Sequence, residues 1–433
     1  MEKNETQKAL ENFDLHARYV NLRLIYAIAT IKQAAAATYK ELHLLENEKV
    51  DAILLACHEI IEGRQDDKFR LQALQGGAGT STHMNVIEVI AQLAGEQGVQ
   101  VSPLDDVNKG QSTNDVYPTA LRIATIQMVR LLSEECSKLQ TTLQEKETEF
   151  AEVYKLGRTQ LMDAMPVTLG QEFGAYAQAI ARDRWRIYKI EERLRQVNIG
   201  GTAIGTGANA DRAYTYRVLE ILRDMTQIGL ARAEYPMDIT QNQDVFTEVS
   251  GLLKALAVNL MKISTDLRLM NSGPKGGLGE ITLQELQKGS TMMPGKVNPV
   301  IPEMTTQVAI RVMANDTAIT MAAAHGNFEL NAFLPLIADA LLESLELLTD
   351  TVRIFRERCI ATLQPNPGKC REHLASSAVE ATALAPYIGY EEAAKIVREV
   401  WETGKTIREV VEARGLLSEE EIDKIEANCY YFG

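Results

Sequence analysis

Proline is sparse where this chain is most apolar. None precedes Pro103, none lies between Pro166 and Pro236, and residues 237–273 are free of it. An interior proline removes a helix hydrogen bond and clashes with the preceding turn, so these stretches can form long helices. Apolar spacing agrees. Val20, Leu24, Ile28 and Ile31 fall at helical intervals, as do Leu252, Leu256, Leu260 and Ile263, and then Leu341, Leu345 and Leu348. Residues 249–270 are apolar on more than one face and are expected to lie among other helices. Sustained strand alternation is scarce. The expected fold is mainly α, with a central bundle of long helices.

Composition narrows the function. Apolar residues make up 45% and charged residues 24% of the 433, which excludes a disordered, collagen-like or rod-like chain. Charge is 45 Lys+Arg against 59 Asp+Glu, a net −14, so a nucleic-acid partner is not expected. That balance leaves room for a local cationic pocket. The cysteines Cys57, Cys136, Cys359, Cys370 and Cys429 form no C-x-x-C pair and read as reduced thiols. Glu62 stands where an H-E-x-x-H motif starting at His58 needs its second histidine, so no metal site is expected. No apolar run approaches the ~20 residues of a membrane span. The first residues, MEKNETQKALENF, lack the apolar core of a secretory signal, so no membrane partner and a cytoplasmic location are expected.

Three polar or glycine- and proline-rich breaks fall at residues 102–115, 271–302 and 364–368. They suggest an N-terminal helical domain over 1–112, a central long-helix domain over 113–366 and a small helical domain over 367–433. In the last, Gly415 reads as a helix C-cap, and Ser418 with Glu421 as a capping box.

Four segments hold clustered polar residues without an apolar period. Residues 289–299, GSTMMPGKVNP, fail as a P-loop, because five residues separate the glycines and Val297 follows Lys296. Ser290 could instead serve as a base or nucleophile, with Lys296 and Asn298 holding a carboxylate. Residues 76–85, GGAGTSTHMN, offer Thr80, Ser81 and Thr82 as neutral donors on a glycine-rich approach. In GQSTND, residues 110–115, Ser112, Thr113 and Asn114 precede an apolar helix and suit both an N-cap and an anion site. In GRTQLMDAMP, residues 157–166, Arg158 reads as a structural ion-pair partner, while Thr159 and Gln160 offer neutral hydrogen bonds.

Together these segments resemble the aspartase/fumarase superfamily. Its G-S-S-x-M-P-x-K-x-N-P loop is matched by residues 289–299, with Thr291 in the second serine place. NIGGTAIGTGANA and HGNFELN match as well, and the resemblance spans essentially the whole chain. It implies a three-part helical protomer and a homotetramer with a twenty-helix core. It also implies active sites that draw residues from three protomers, a small dicarboxylate substrate and no cofactor.

Within the superfamily, GGAGTS, GRTQLMDAMPVTLGQEF, SGPKGGLGEI and MPGKVNPVIPE are most similar to the aspartate ammonia-lyases. That implies reversible anti elimination of ammonia from L-aspartate to fumarate through an aci-carboxylate, with Ser290 as general base. Thr80, Ser112, Thr113 and Thr291 would cradle the developing charge, and Lys296 and Asn298 would hold the other carboxylate. Asn114, Thr159 and Gln160 would surround the amino group. Backbone N–H groups of residues 273–279 are expected to stabilise the Ser290 alkoxide. The resemblance admits two alternatives, a fumarate hydratase or a lyase for an N-substituted aspartate. Hydratases usually carry G-R-T-H, and Gln160 stands in that histidine's place. Two further departures are Asp106, where the family often has His before V-N, and His83, where Asn is more usual.

Overall fold

The computed structural model describes residues 3–377 and 379–429. Helices come first: α1 (Glu5–Asn12), α2 (Leu22–Glu41), α3 (Asn47–Ile61), α4 (Thr80–Glu96) and α5 (Thr113–Glu149). A hairpin of β1 (Tyr154–Thr159) and β2 (Met162–Thr168) leads into α6 (Leu169–Leu194). Next come β3 (Gln196–Val197), α7 (Arg212–Thr226), β4 (Ala231–Arg232), α8 (Pro236–Gln241) and α9 (Asp244–Met270). They are followed by β5 (Ile281–Thr282), α10 (Val300–Ala323), α11 (Leu334–Phe355) and β6 (Gln364–Pro365). The last helices are α12 (Pro367–Ala375), α13 (Glu380–Ile388), α14 (Tyr390–Thr403), α15 (Ile407–Arg414) and α16 (Glu419–Cys429). The fold is mainly α, and among the described residues three ribbons have two strands each. Among the described residues, no helix is long and apolar enough to cross a membrane.

Two compact units divide the chain. One comprises Met1–Cys136, Arg182–Val258 and Gln307–Thr351; the other comprises Ser137–Ala181, Asn259–Thr306 and Val352–Gly433. In the first unit α2 packs on α3 and α7. Leu24, Ile28 and Ile31 are buried, as their spacing predicts, and Tyr39 stacks on Tyr214 with ring centroids 5.3 Å apart. Pro118 lies inside α5. It has no N–H for the Asn114 carbonyl one turn earlier, and Asn198 Nδ2 donates to that carbonyl instead at 2.9 Å. A long helix therefore survives a proline near its start.

In the second unit, the hairpin escaped the sequence reading. Its alternation is masked by Gly157, Pro166 and a register shift between Leu156 and Arg158. Gln160 and Leu161 form its two-residue turn, both with positive φ, as type I′ turns require. The C-terminal helices pack around Leu384, Ile396, Ile407, Val410 and Ile422. Gly415 caps α15 at φ +61°. Ser418 and Glu421 exchange the hydrogen bonds of a capping box, at 2.8 and 3.4 Å. The α9 face carrying Leu256, Leu260 and Ile263 is buried, whereas Val258 and Leu269 stay exposed on the single chain. Cys57, Cys136, Cys359 and Cys370 are buried free thiols, while the side chain of Cys429 lies outside the described residues.

Arg158 is a structural ion-pair partner. It meets Glu280 at 2.7 Å, and Lys155 reaches the other Glu280 oxygen at 3.0 Å and Glu172 at 2.8 Å. Glu280 is completely buried, so the pairs must offset its desolvation. Lys155→Met leaves Glu172 without this partner and Glu280 with one cation. We expect it to lower unfolding free energy by about 3 kcal/mol, read by urea denaturation at fixed protein concentration. A change within experimental error would contradict this role.

Candidate active site

The first unit gathers four of the predicted residues at two helix starts. Thr80 is the first residue of α4, entered through Gly79 at φ +93°. A side chain at Gly79 would strike the Tyr117 ring of α5 at 2.3 Å, so this glycine permits close approach of α4 and α5. One turn on from Thr80, His83 Nδ1 lies 2.8 Å from Thr113 Oγ1. Ser112 caps α5, with its Oγ accepting from Asn114 N at 3.2 Å. Asn114 Nδ2 donates to Ala203 O at 2.8 Å.

Asp115 fastens this corner, and the sequence reading passed over it. Its Oδ1 accepts from Ser112 N at 3.0 Å, and its Oδ2 from Gly200 N and Thr202 N at 3.0 and 3.1 Å. The NIGGT segment thus holds the start of α5 through its backbone. A side chain at Gly200, φ +80°, would meet Thr215 at 2.4 Å, so the segment requires glycine there. The HGNFELN segment joins α10 to α11. Asn331 Nδ2 donates to the Ala322 and Ala323 carbonyls at 3.0 and 3.1 Å, which satisfies part of the α10 end.

Below the α5 start lies buried charge. Lys32 Nζ donates to Asn108 Oδ1 at 2.8 Å and Gln111 Oε1 at 2.9 Å. Burial lowers its pKa to about 7, against the opposing pull of Asp115 and Cys57. Burial raises the Asp115 carboxyl to about 6, although three backbone N–H groups and Lys32 favour its charged form. Burial, and then the Lys32 charge, hold His83 well below the usual histidine range, so its ring is neutral. Asp106 accepts from Lys49 Nζ at 2.9 Å and Ser102 N at 2.8 Å. Its carboxylate thus closes a turn of the chain.

The second unit holds the remaining predicted residues, on two separate elements. Thr159 and Gln160 sit exposed at the hairpin tip. Residues 289–299 form a loop closed by Gly289 N donating to Lys296 O at 3.0 Å and Asn298 Nδ2 donating to Gly289 O at 2.7 Å. One Asn298 N–H is therefore spent on closing the loop. Ser290 is half-buried, and its Oγ accepts from Met292 N and Met293 N at 3.0 and 2.9 Å. The sequence reading sought this support in residues 273–279. There, Leu278 N and Gly279 N both turn to Ser272, at 3.0 and 2.9 Å. Thr291 and Lys296 are exposed.

Lys32 makes a signed prediction. Its folded pKa lies below its ordinary 10.5, so the unfolded chain binds more protons between about pH 7 and 10.5. Its contribution to stability therefore rises with pH across that window. The unfolding free energy of the native chain minus that of Lys32→Met should increase from pH 7 toward about 10. A difference that is flat or falls with pH would contradict it.

Comparison with known proteins identifies the family. The family described as "Lyase" matches residues 1–314, and the family described as "Fumarase C C-terminus" matches 381–426. An aspartate ammonia-lyase of a Bacillus species is 43% identical, covering 97% of this chain and 92% of its own. A class II fumarate hydratase of Mycobacterium tuberculosis is 44% identical, over 97% of this chain and 90% of its own. The crystal structure of a Brucella melitensis protein titled fumarate lyase:delta crystallin, bound to cobalt, superposes with a TM-score of 0.94 at 41% identity. That match covers 99% of this chain and 95% of the other. On matching sequence, fold and loop pattern, the chain belongs to the aspartase/fumarase superfamily of lyases.

Proposed function

We propose that this lyase is an aspartate ammonia-lyase, eliminating ammonia from L-aspartate to give fumarate. The relatives of both kinds match it almost equally, so overall identity does not choose between amine and hydroxyl substrates. The observation that carries the choice is Gln160. It occupies the tip of a tight turn with a neutral amide, at the position where hydratases usually bear histidine. An amide can accept from an ammonium group and carries no competing positive charge.

The chemistry requires a proton to leave the carbon beside one carboxylate, which then takes on a second negative charge. Ser290 is the proposed base. A serine works as a base only if its alkoxide is stabilised, and the Met292 and Met293 amides supply two donors to that oxygen. Thr80, Ser112, Thr113 and Thr291 are the proposed donors to the aci-carboxylate. Lys296 and the other Asn298 N–H bind the second carboxylate. Asn114, Thr159 and Gln160 face the amine; the Asn114 amide nitrogen is engaged with Ala203, which directs its Oδ1 to accept.

The proposed working form is a homotetramer whose sites combine residues of three copies, built on protomers of three parts. Support comes from large apolar side chains left exposed on the long helices of the single chain. Trp185 and Tyr188 on α6, Val258 on α9, and Ile310 and Met321 on α10 are all more than half exposed. Apolar residues of α10 are spread over more than one face, as expected of a helix with neighbours on several sides.

Absorbance of fumarate, with L-aspartate and L-malate offered in parallel, tests the substrate. Fumarate with matching ammonia from aspartate alone is expected; fumarate from malate alone would make the chain a hydratase. Ser290→Ala should lower kcat by roughly 100- to 10,000-fold while native gel mobility is unchanged. Full activity would remove Ser290 from the base role. Lys296→Met should raise KM about tenfold or more, the scale of one lost hydrogen bond to a charged group. An unchanged KM would count against its carboxylate contact.

A further inference from the structure

His83 is a chain-specific feature of the α4 start, since the family more usually has Asn there. The ring is 2% exposed and lies one turn beyond Thr80. Its Nδ1 is 2.8 Å from Thr113 Oγ1, and its Nε2 is buried with no hydrogen-bond partner. Two tautomers satisfy the first contact. With the proton on Nε2, a buried N–H is orphaned and the Thr113 proton is spent on the ring. With the proton on Nδ1, only a lone pair goes unpaired, and orphaned N–H groups are the rarer and costlier kind. The neutral Nδ1–H tautomer then donates to Thr113 Oγ1 and leaves the hydroxyl proton to point elsewhere. Thr113 is half-buried at the start of α5, so its hydroxyl proton is free to turn toward an incoming acceptor.

We infer that His83 is a positioning residue, whose Nδ1–H fixes the Thr113 hydroxyl as a one-way donor to a substrate carboxylate. The inference rests on the proposed dicarboxylate site. An Asn side chain places its Nδ2 the same number of bonds from the backbone as His Nδ1. His83→Asn can therefore restore the donor, whereas His83→Leu fills the space without one.

Calorimetric titration with succinate, an unreactive dicarboxylate, separates these cases. His83→Leu should weaken succinate binding about tenfold, the size of one hydrogen bond to a charged group, and His83→Asn should recover most of it. Thr113→Val should match His83→Leu, and the double variant should lose no more than either alone. If His83→Leu does not fold, Thr113→Val introduced with His83→Asn carries the test: the binding held by His83→Asn must weaken about tenfold with loss of the hydroxyl. Native binding by His83→Leu, equal losses in both His83 variants, or additive losses in the double variant would overturn the inference. So would a native chain that does not bind succinate. L-Aspartate turnover is measured alongside. If it is absent while this binding pattern holds, the substrate assignment fails and the role of His83 stands.

Discussion

The start of α5 depends on one buried carboxylate. Asp115 gives one oxygen to the Ser112 amide and the other to the amides of Gly200 and Thr202. It joins segments eighty-five residues apart in sequence through backbone donors, which side-chain substitution elsewhere cannot remove. Pro118 and Asn198 reinforce the same junction, because the proline frees the Asn114 carbonyl and Asn198 takes it. Asn198 is itself held in the core by accepting from Thr119 and donating to Thr240, at 3.4 and 2.8 Å. The hydroxyls of Ser112 and Thr113 therefore stand on a fixed backbone. Preorganised donors are what stabilisation of a developing anion needs.

The loop carrying Ser290 is built on the opposite principle. It is exposed for most of its length, and hydrogen bonds between its own residues hold its shape. The two amides on Ser290 Oγ come from its immediate successors, so the serine keeps this support if the loop moves as a body. Such a loop suits closure over a substrate that excludes water. Rigid helix starts and a self-contained loop divide the proposed chemistry between charge stabilisation and proton removal.

Much of this was legible in the sequence. Proline-free stretches and apolar spacing gave the long helices, and the caps at Gly415 and Ser418 were readable because capping chemistry is local. The serine loop stood out through its glycines, lysine and asparagine. Other features depend on distant partners. The hairpin was hidden because a bulge and a proline break its alternation. Asp115 was passed over because two of its three donors, the Gly200 and Thr202 amides, come from distant sequence. Lys32 drew no notice, because its burial against Asn108 and Gln111 has no local signature. The Met292 and Met293 amides on Ser290 Oγ had no sequence signal, because only the folded turn of the loop brings them to that oxygen.

The proposal that sites are shared among copies is tested most directly by complementation. Asn114→Ala and Ser290→Ala alter different parts of the chain, and each should be nearly inactive alone. Hybrid tetramers assembled from the two variants should regain fumarate production from L-aspartate, because some sites then combine intact parts from different copies. Hybrids verified by mass that remain as inactive as their parents would contradict shared sites.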